Sequence, residues 1–516
     1  MGSQPIPPGD GAMKLSTDLI RQMDIGSLEL RDGDNRLRLD DSPLSAYLAQ
    51  RLRPRYRYAP GLGWLHYNGR VWRRVPDDRL TTEVQTQFTA LFTEEAPHVD
   101  GDRRKQIAGL LANHRVRAVK GLLRGLLLED DSRFDSRDHA HLLNTPNGVV
   151  DLRTGELSRH DPDLLLTKIT KAAYRPGASH PDWDETLQAL PDPEVRTWLQ
   201  ARLGQAITGL PPTDDVLPIW YGDGANGKST VLAFRFALGS YAGDISERVL
   251  TARPSDHPTE LTDLKGLRLA VLEELPEGPL SVRRLKAILG TDRMTARRIS
   301  RDTMTWDPTH TPVVTTNYRP RVVEVDHGTW RRLALVSFPL RYRKPGQPLE
   351  RDTDRHGSEG LRERIKHGTA QQEAVLAWLV AGAKRVYTET GEQQLPVLPT
   401  RVREDTDAWR NDVDLLALFA AEHLVFDPAW AVLSRDLFAE FTRFLEAHGH
   451  ATWSDQTFTE KLLNHTLAAE HQLTKARVRA KQLSWPRWQK APEPPAGKAV
   501  QVLGVRFRTA NDDQEG

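Results

Sequence analysis

Three glycines, a lysine and a Ser-Thr pair crowd the stretch "YGDGANGKST", residues 221–230. Gly222, Gly227, Lys228 and Ser229 satisfy G-x-x-x-x-G-K-[ST], and Gly224, Asn226 and Thr230 complete the loop. Phosphate chemistry asks for these types. Glycines let backbone N–H groups curl around phosphate oxygens, and a helix opening at the lysine turns its positive end toward them. Lys228 would place a mobile cation near the β- and γ-phosphates, while the Ser229 hydroxyl would reach a Mg²⁺ ion bridging them. The pattern arises by chance about once per hundred chains of this length. The loop therefore calls for a nucleotide triphosphate and Mg²⁺.

Many enzyme classes share such a loop, so the choice falls to the segments downstream. "LRLAVLEELPEG" (267–278) is an apolar run ending in Glu273 and Glu274. One carboxylate could serve the metal and the other could orient the attacking water. "PVVTTNYRP" (312–320) is a second apolar run, ending in Asn317, whose amide could sense the γ-phosphate. "TWRRLALVSFPL" (329–340) sets Arg331 and Arg332 before a third. An arginine there could stabilise charge on the transferring phosphate, often from a neighbouring subunit. The pattern leaves open which of the two does so.

These residues need a frame. Short apolar strands ("VLPIWY", "LRLAVLEE", "TPVVTTN") alternate with helical stretches from about residue 185, which predicts α/β architecture with a sheet covered on both faces. The expected divisions are a tail with one short helix over 1–50, a mainly helical domain over 51–184, the α/β domain over 185–345, a helix and linker over 346–400, a last domain over 401–510, and a tail over 511–516. Within 51–184, "RLRPRYRYAPGLGWLHYNGRVWRRV" reads as a hairpin turning at Tyr67-Asn68-Gly69-Arg70. "RRKQIAGLLANHRVRAVKGLLRGLLLE" carries apolar residues at helical spacing.

Composition bounds the rest. The 516 residues are 38% hydrophobic and 27% charged, with net charge +1, so nucleic acid would have to be held by local patches rather than a global field. Cysteine is absent, which excludes disulfides and thiolate zinc sites. No apolar run approaches the length of a membrane span, and the N-terminus lacks a signal-peptide pattern.

The order of segments resembles the superfamily 3 helicases. It runs GDGANGKST, LEELPEG, "LKAILGTDRMTARRISRDTMTW", TTNYRP, TWRRL. Within that superfamily it is most similar to the phage and plasmid primase-helicases, which are related to the poxvirus primase-helicase. "LLNTPNGVVDLRTGELSRHDP" resembles the end of that family's helical domain, and "SRDLFAEFTRFLEAHG" with "VLGVRFR" resembles its C-terminal winged helix. The resemblance implies an AAA+-like P-loop motor between those domains. It gives Lys228 and Ser229 the phosphate and metal roles, Glu274 water activation, Glu273 help to the metal, and Asn317 the sensor role. Arg331 or Arg332 becomes the finger. Lys286, Asp292 and Arg297 match a helix-and-hairpin motif of the superfamily, with a tip near "SRDTM" that grips single-stranded DNA. Lys286, Arg297, Arg298 and Arg301 are thus the expected DNA contacts, following the backbone without reading sequence.

The resemblance further implies a hexameric ring moving 3′ to 5′ on single-stranded DNA and opening duplex at forks in a bacterial host cytoplasm. The alternative reading is an ATP-gated DNA-binding, origin-recognition or loader module without processive unwinding. The resemblance also departs from the family. Only about 50 residues precede the helical domain, so priming is expected from a separate primase or polymerase. Two further segments could touch DNA. "RLRPRYRY" interleaves Arg51, Arg53, Arg55 and Arg57 with Tyr56 and Tyr58, either as stacking faces or as an exposed edge strand. "TKARVRAKQLSWPRWQK" carries Lys475, Arg477, Arg479, Lys481 and Arg487 in the expected wing, after a helix capped by Ser454.

Overall fold

The computed structural model describes residues 30–34, 36–251, 259–276, 278–297, 303–322, 327–388, 392–448, 452–479, 497–509 and 512. They fall into two compact units. The first runs to Pro176 and takes in Ala237–Tyr241; the second holds Gly177–Phe236 and the chain from Ala242 onward.

In the first unit, helices Asp41–Leu52, Asp77–Glu95, Gly101–Ala108 and Asn113–Leu126 accompany two three-stranded antiparallel sheets. One sheet is β1 (Tyr56–Ala59), β2 (Gly63–Tyr67) and β3 (Trp72–Arg74); the other is β4 (Leu142–Thr145), β5 (Gly148–Asp151) and β6 (Glu156–Ser158). The expectation of a mainly helical domain thus meets a mixed unit. The β2–β3 hairpin turns where the sequence places it. Tyr67 pairs with Trp72, Gly69 takes φ +92°, and the Asn68 side-chain oxygen accepts from the N–H groups of Arg70 and Val71 at 3.1 and 3.0 Å. The long basic stretch forms two helices, the first opened by Asp100, whose carboxylate accepts from Arg103 N–H at 2.8 Å.

The "RLRPRYRY" segment corrects both readings offered for it. Tyr56 is 0% and Tyr58 9% exposed, so neither presents a stacking face. The edge is covered rather than open: Tyr58 N–H donates to Leu127 O, and Glu129 N–H to Tyr58 O, both at 2.8 Å. Arg57 is buried against Glu129, and Arg124 lies over the Tyr58 ring at 4.4 Å.

The second unit is built on a five-stranded parallel sheet ordered β13-β7-β12-β9-β8. The strands are β7 (Leu217–Tyr221), β8 (Ala242–Asp244), β9 (Leu269–Leu272), β12 (Thr311–Thr316) and β13 (Leu333–Ser337), with the β10 (Met294–Arg297) and β11 (Thr303–Trp306) hairpin inserted between β9 and β12. The central strands β9 and β12 are buried along their whole length, as expected of a parallel sheet covered on both faces. Ile219, Leu272, Val314 and Leu335 lie in its core. Helices Pro193–Ala206 and Thr369–Val386 pack so closely that a Cβ on Gly204 would stand 2.2 Å from Ala383 N, and one on Gly382 would stand 2.1 Å from Gln200 O. Trp183 and Trp378 meet edge to face at 5.4 Å in the same layer.

A short parallel pair follows, β14 (Arg341–Arg343) with β15 (Asp354–His356). Helix Thr400–Val413, expected to open the last domain, packs on β13. Leu335 N–H donates to Thr406 Oγ1 at 2.9 Å, and the fully buried Trp409 donates to Pro320 O at 3.0 Å. Beyond it, helices Leu415–His423, Ser434–Ala447 and Asp455–Asn464 accompany an antiparallel sheet ordered β16-β18-β17, comprising β16 (Leu424–Leu433), β17 (Thr474–Arg479) and β18 (Lys498–Phe507). Phe419, Phe441, Phe444 and Phe458 form its core. No helix among the described residues is long and apolar enough to cross a membrane.

Candidate nucleotide site

Ligands of open parallel sheets bind beyond the carboxyl ends of the strands, and the glycine loop, Lys228, Glu273, Glu274 and Asn317 lie at that end. β7 ends at Tyr221 and runs straight into the glycine loop; helix Lys228–Leu232 starts on its far side. Gly224 and Gly227 take φ +94° and +85°, open to glycine at little cost. Gly227 is needed for space as well: a Cβ there would stand 2.7 Å from the Ala189 Cβ and 3.2 Å from the Tyr342 ring. Tyr342 N–H donates to Ala225 O at 2.7 Å and pins the loop to β14.

Lys228 is 6% exposed. Its Nζ donates to Asn317 Oδ1 at 3.0 Å and also to Gly222 O. Burial holds its pKa down to about 8, against the pull of the nearby Asp223 and Glu274 carboxylates. Asn226 is buried, and its Nδ2 has no partner among the described residues. An unsatisfied buried donor beside a desolvated cation fits an anionic oxygen, so the residues present suit a phosphate group. The Ser229 and Thr230 hydroxyls follow at the helix start, Ser229 exposed.

Glu273 and Glu274 follow β9, beside β12, in the register Leu272↔Val314. Glu274 has φ +57°, and its N–H donates to Thr315 Oγ1 at 3.1 Å. The chain therefore turns sharply here, and both carboxylates remain exposed. Glu273 Oε1 lies 2.5 Å from Arg235 Nη2, a residue that no motif singles out. Carboxylate and hydroxyl oxygens suit a hard divalent ion. Among the described residues no group of three or more His, Asp or Glu could hold a metal. Mg²⁺ sites of this kind complete their shell with phosphate oxygens and water, and Ser229 with Glu273 fits that arrangement.

Arg331 and Arg332 are not brought to this edge. They precede β13, whose Leu333 pairs with Leu217 and whose Ser337 pairs with Tyr221. A strand of that length separates them from the loop by roughly 16 Å. The two differ in surroundings. Arg332 lies 3.4 Å from Asp215 and also donates to Gly328 O. Arg331 is exposed, with no side-chain hydrogen bond or ion pair among the described residues.

Beside the loop opens a cleft of about 270 Å³ whose lining includes Glu185, Thr186, Gly227, Thr230, Tyr342 and Leu361. The sequence reading missed it because its walls come from segments more than 170 residues apart. The inserted hairpin forms as expected, with Met294 opposite Trp306 and Arg297 opposite Thr303. Met294 and Ala296 face inward, while Arg297 is exposed, as is Lys286 on helix Val282–Leu289. Arg298, Arg301 and the hairpin tip lie outside the described residues, as do Lys481 and Arg487.

The family described as "D5 N terminal like" matches residues 45–190. An African swine fever virus protein named as a candidate primase, C962R, is 27% identical over 400 residues, covering 70% of this chain and 41% of its own length. A candidate helicase of Acanthamoeba polyphaga mimivirus is 25% identical over 308 residues, covering 56% of this chain and 31% of its own. A candidate helicase of Frog virus 3 is 27% identical over 274 residues, covering 51% of this chain and 27% of its own. The chain thus spans between 27% and 41% of the length of these relatives. Among solved structures, the apo C-terminal region of NrS-1 covers 90% of this chain and 98% of its own, at 11% identity and a TM-score of 0.43.

Proposed function

We propose that this chain, similar to viral primases and helicases over half or more of its length, is an ATP-dependent replicative DNA helicase of superfamily 3 and of the phage and viral primase-helicase type. It assembles as a ring, as a hexamer in this reading, and moves 3′ to 5′ on single-stranded DNA. One observation carries the proposal. Lys228 at the start of the phosphate-loop helix, the two acids after β9 and the polar sensor after β12 lie at the carboxyl ends of neighbouring strands of a parallel sheet, while Arg331, with no side-chain hydrogen bond or ion pair among the described residues, stands at the amino end of β13. The strand order, with β7 between β13 and β12, supports an AAA+-like motor.

The residues divide the work. Backbone N–H groups of 222–227 and the start of helix Lys228–Leu232 cradle the phosphates. Lys228 exchanges its contacts with Gly222 and Asn317 for phosphate oxygens, and the incoming negative charge restores its proton affinity. Asn226 Nδ2 gains an acceptor. The base and ribose occupy the cleft lined by Thr186, Tyr342 and Leu361. Ser229 and Glu273 would hold a Mg²⁺ ion, which would supply neutralisation of phosphate charge. Glu274 orients a water and takes its proton, Asn317 holds that water toward the γ-phosphate, and Arg331 of a neighbouring subunit meets the charge that develops.

In this reading the DNA contacts include Arg297 and Lys286, both exposed; Arg298 and Arg301, expected beside them from the sequence, lie outside the described residues. The C-terminal helices and their three-stranded sheet support a winged-helix reading, in which the helix capped by Ser454 (accepting from Thr457 N–H at 3.1 Å) faces DNA and exposed Lys475, Arg477 and Arg479 on the edge strand β17 touch phosphates. Glu274→Gln tests the assignment: it should retain ATP binding and lose DNA-stimulated hydrolysis. Loss of binding, or full hydrolysis, would refute the role given to Glu274.

A further inference from the structure

Arg235 touches one of the two expected catalytic acids, yet no motif accounts for it. It lies in the tightly turned run Ala233–Tyr241, just past the phosphate-loop helix. Strands β8 and β9 are neighbours, with Asp244 in register with Val271, so the carboxyl end of β8 brings Asp244 beside Glu273. The Arg235 guanidinium spans the two. Nη2 lies 2.5 Å from Glu273 Oε1, and Nη1 donates to Asp244 Oδ1. The Arg235 side chain is only 14% exposed, against 34% for Glu273 and 72% for Asp244. It also lies over the Phe236 ring at 5.0 Å, which fixes the plane of its fork.

A guanidinium at this place opposes a divalent ion in two ways. It occupies an oxygen of the carboxylate that would serve the ion, and its own positive charge repels the ion. The second carboxylate changes the consequence. If Glu273 swings to the metal, Arg235 keeps Asp244 as partner, so releasing Glu273 does not leave the cation stranded. We infer that Arg235 is a positioning residue that parks Glu273 in the nucleotide-free protein and yields it when a divalent cation arrives with the nucleotide, keeping its hold on Asp244. The inference rests on the ATPase reading above, and it makes Arg235 a threshold on divalent-ion binding rather than a participant in hydrolysis.

The test is binding of a fluorescent ADP to the full chain across a Mg²⁺ titration, for wild type, Arg235→Met and Arg235→Lys. Arg235→Met should lower the Mg²⁺ midpoint roughly two- to fivefold, the scale of a partly exposed ion pair, and leave Mg²⁺-free ADP affinity unchanged. Arg235→Lys, which keeps the charge, should bring the midpoint back toward wild type. An unchanged midpoint in Arg235→Met would overturn the inference, and so would an equal change in Mg²⁺-free binding, which marks general damage. If wild type binds ADP independently of Mg²⁺, the metal role of Glu273 fails. If wild type binds no ADP, the ATPase reading itself fails and the inference falls with it.

Discussion

Arg331 offers the sharpest consequence of the sheet geometry. It sits before β13, about five residues of extended strand and roughly 16 Å from the loop of its own chain. Under the proposed reading, a finger there would serve a neighbour's site. Arg331→Ala should therefore cost on the order of a thousandfold in hydrolysis, at the lower end of the range for arginine fingers. Lys228→Ala should be equally inactive, for loss of the phosphate cation. In rings mixed at random from equal amounts of the two variants, each interface pairs one subunit's loop with the next subunit's arginine. One interface in four then combines an intact Lys228 with an intact Arg331, so the mixture should recover about a quarter of wild-type hydrolysis whatever the ring size. The assay is steady-state phosphate release after co-refolding or subunit exchange, with each variant alone as baseline. No recovery above the two baselines would refute delivery of Arg331 in trans. The same experiment with Arg332→Ala, whose side chain is held by Asp215 and Gly328 O, separates the two arginines: Arg332→Ala should act mainly through lost stability.

Two further outcomes follow from the site. Burial holds the Lys228 pKa down to about 8, below its ordinary value of about 10.4, so the free site is partly deprotonated above pH 8 and a bound phosphate must restore the proton. Nucleotide affinity should fall as pH rises through 8, with proton uptake on binding near pH 8.5, read by calorimetry in buffers of different ionisation enthalpy; pH-independent binding without uptake would contradict this. In the absence of ligand the sign is opposite, because the unfolded chain binds more protons between about pH 8 and 10.4, and this group's contribution to stability rises with pH there. Arg297→Ala should leave DNA-independent hydrolysis intact and raise the concentration of single-stranded DNA needed for half-maximal stimulation several-fold, since one phosphate contact is lost of several; an unchanged response would remove Arg297 from the DNA path.

What could be read along the chain was local. The loop declares itself because glycine, lysine and hydroxyl spacing is set within ten residues, and Glu273, Glu274 and Asn317 because each ends an apolar strand. What escaped depends on strand order and on distant partners. Arg235 has no signature because its place depends on β8 lying next to β9, which places Asp244 beside Glu273. Nothing local tells the two arginines apart, because what distinguishes Arg332 is Asp215, more than a hundred residues away in the chain. In "RLRPRYRY" the alternation of charge and ring implies stacking faces, yet Leu127–Glu129 covers the strand and turns both tyrosines into core. Helix Thr400–Val413 reads as the start of a new domain, but buried Trp409 binds it to the five-stranded sheet's unit, edge to face with Trp330 at 5.0 Å.

The central claim is that hydrolysis at this site moves DNA. The direct measurement is strand separation of a fluorescently labelled duplex bearing a 3′ single-stranded tail, with ATP, a non-hydrolysable analogue, or ATP and Lys228→Ala. The account predicts unwinding with ATP and wild type alone, together with hydrolysis that rises when single-stranded DNA is added. Hydrolysis indifferent to DNA, with no strand separated, would contradict it and leave an ATP-gated DNA-binding module in its place.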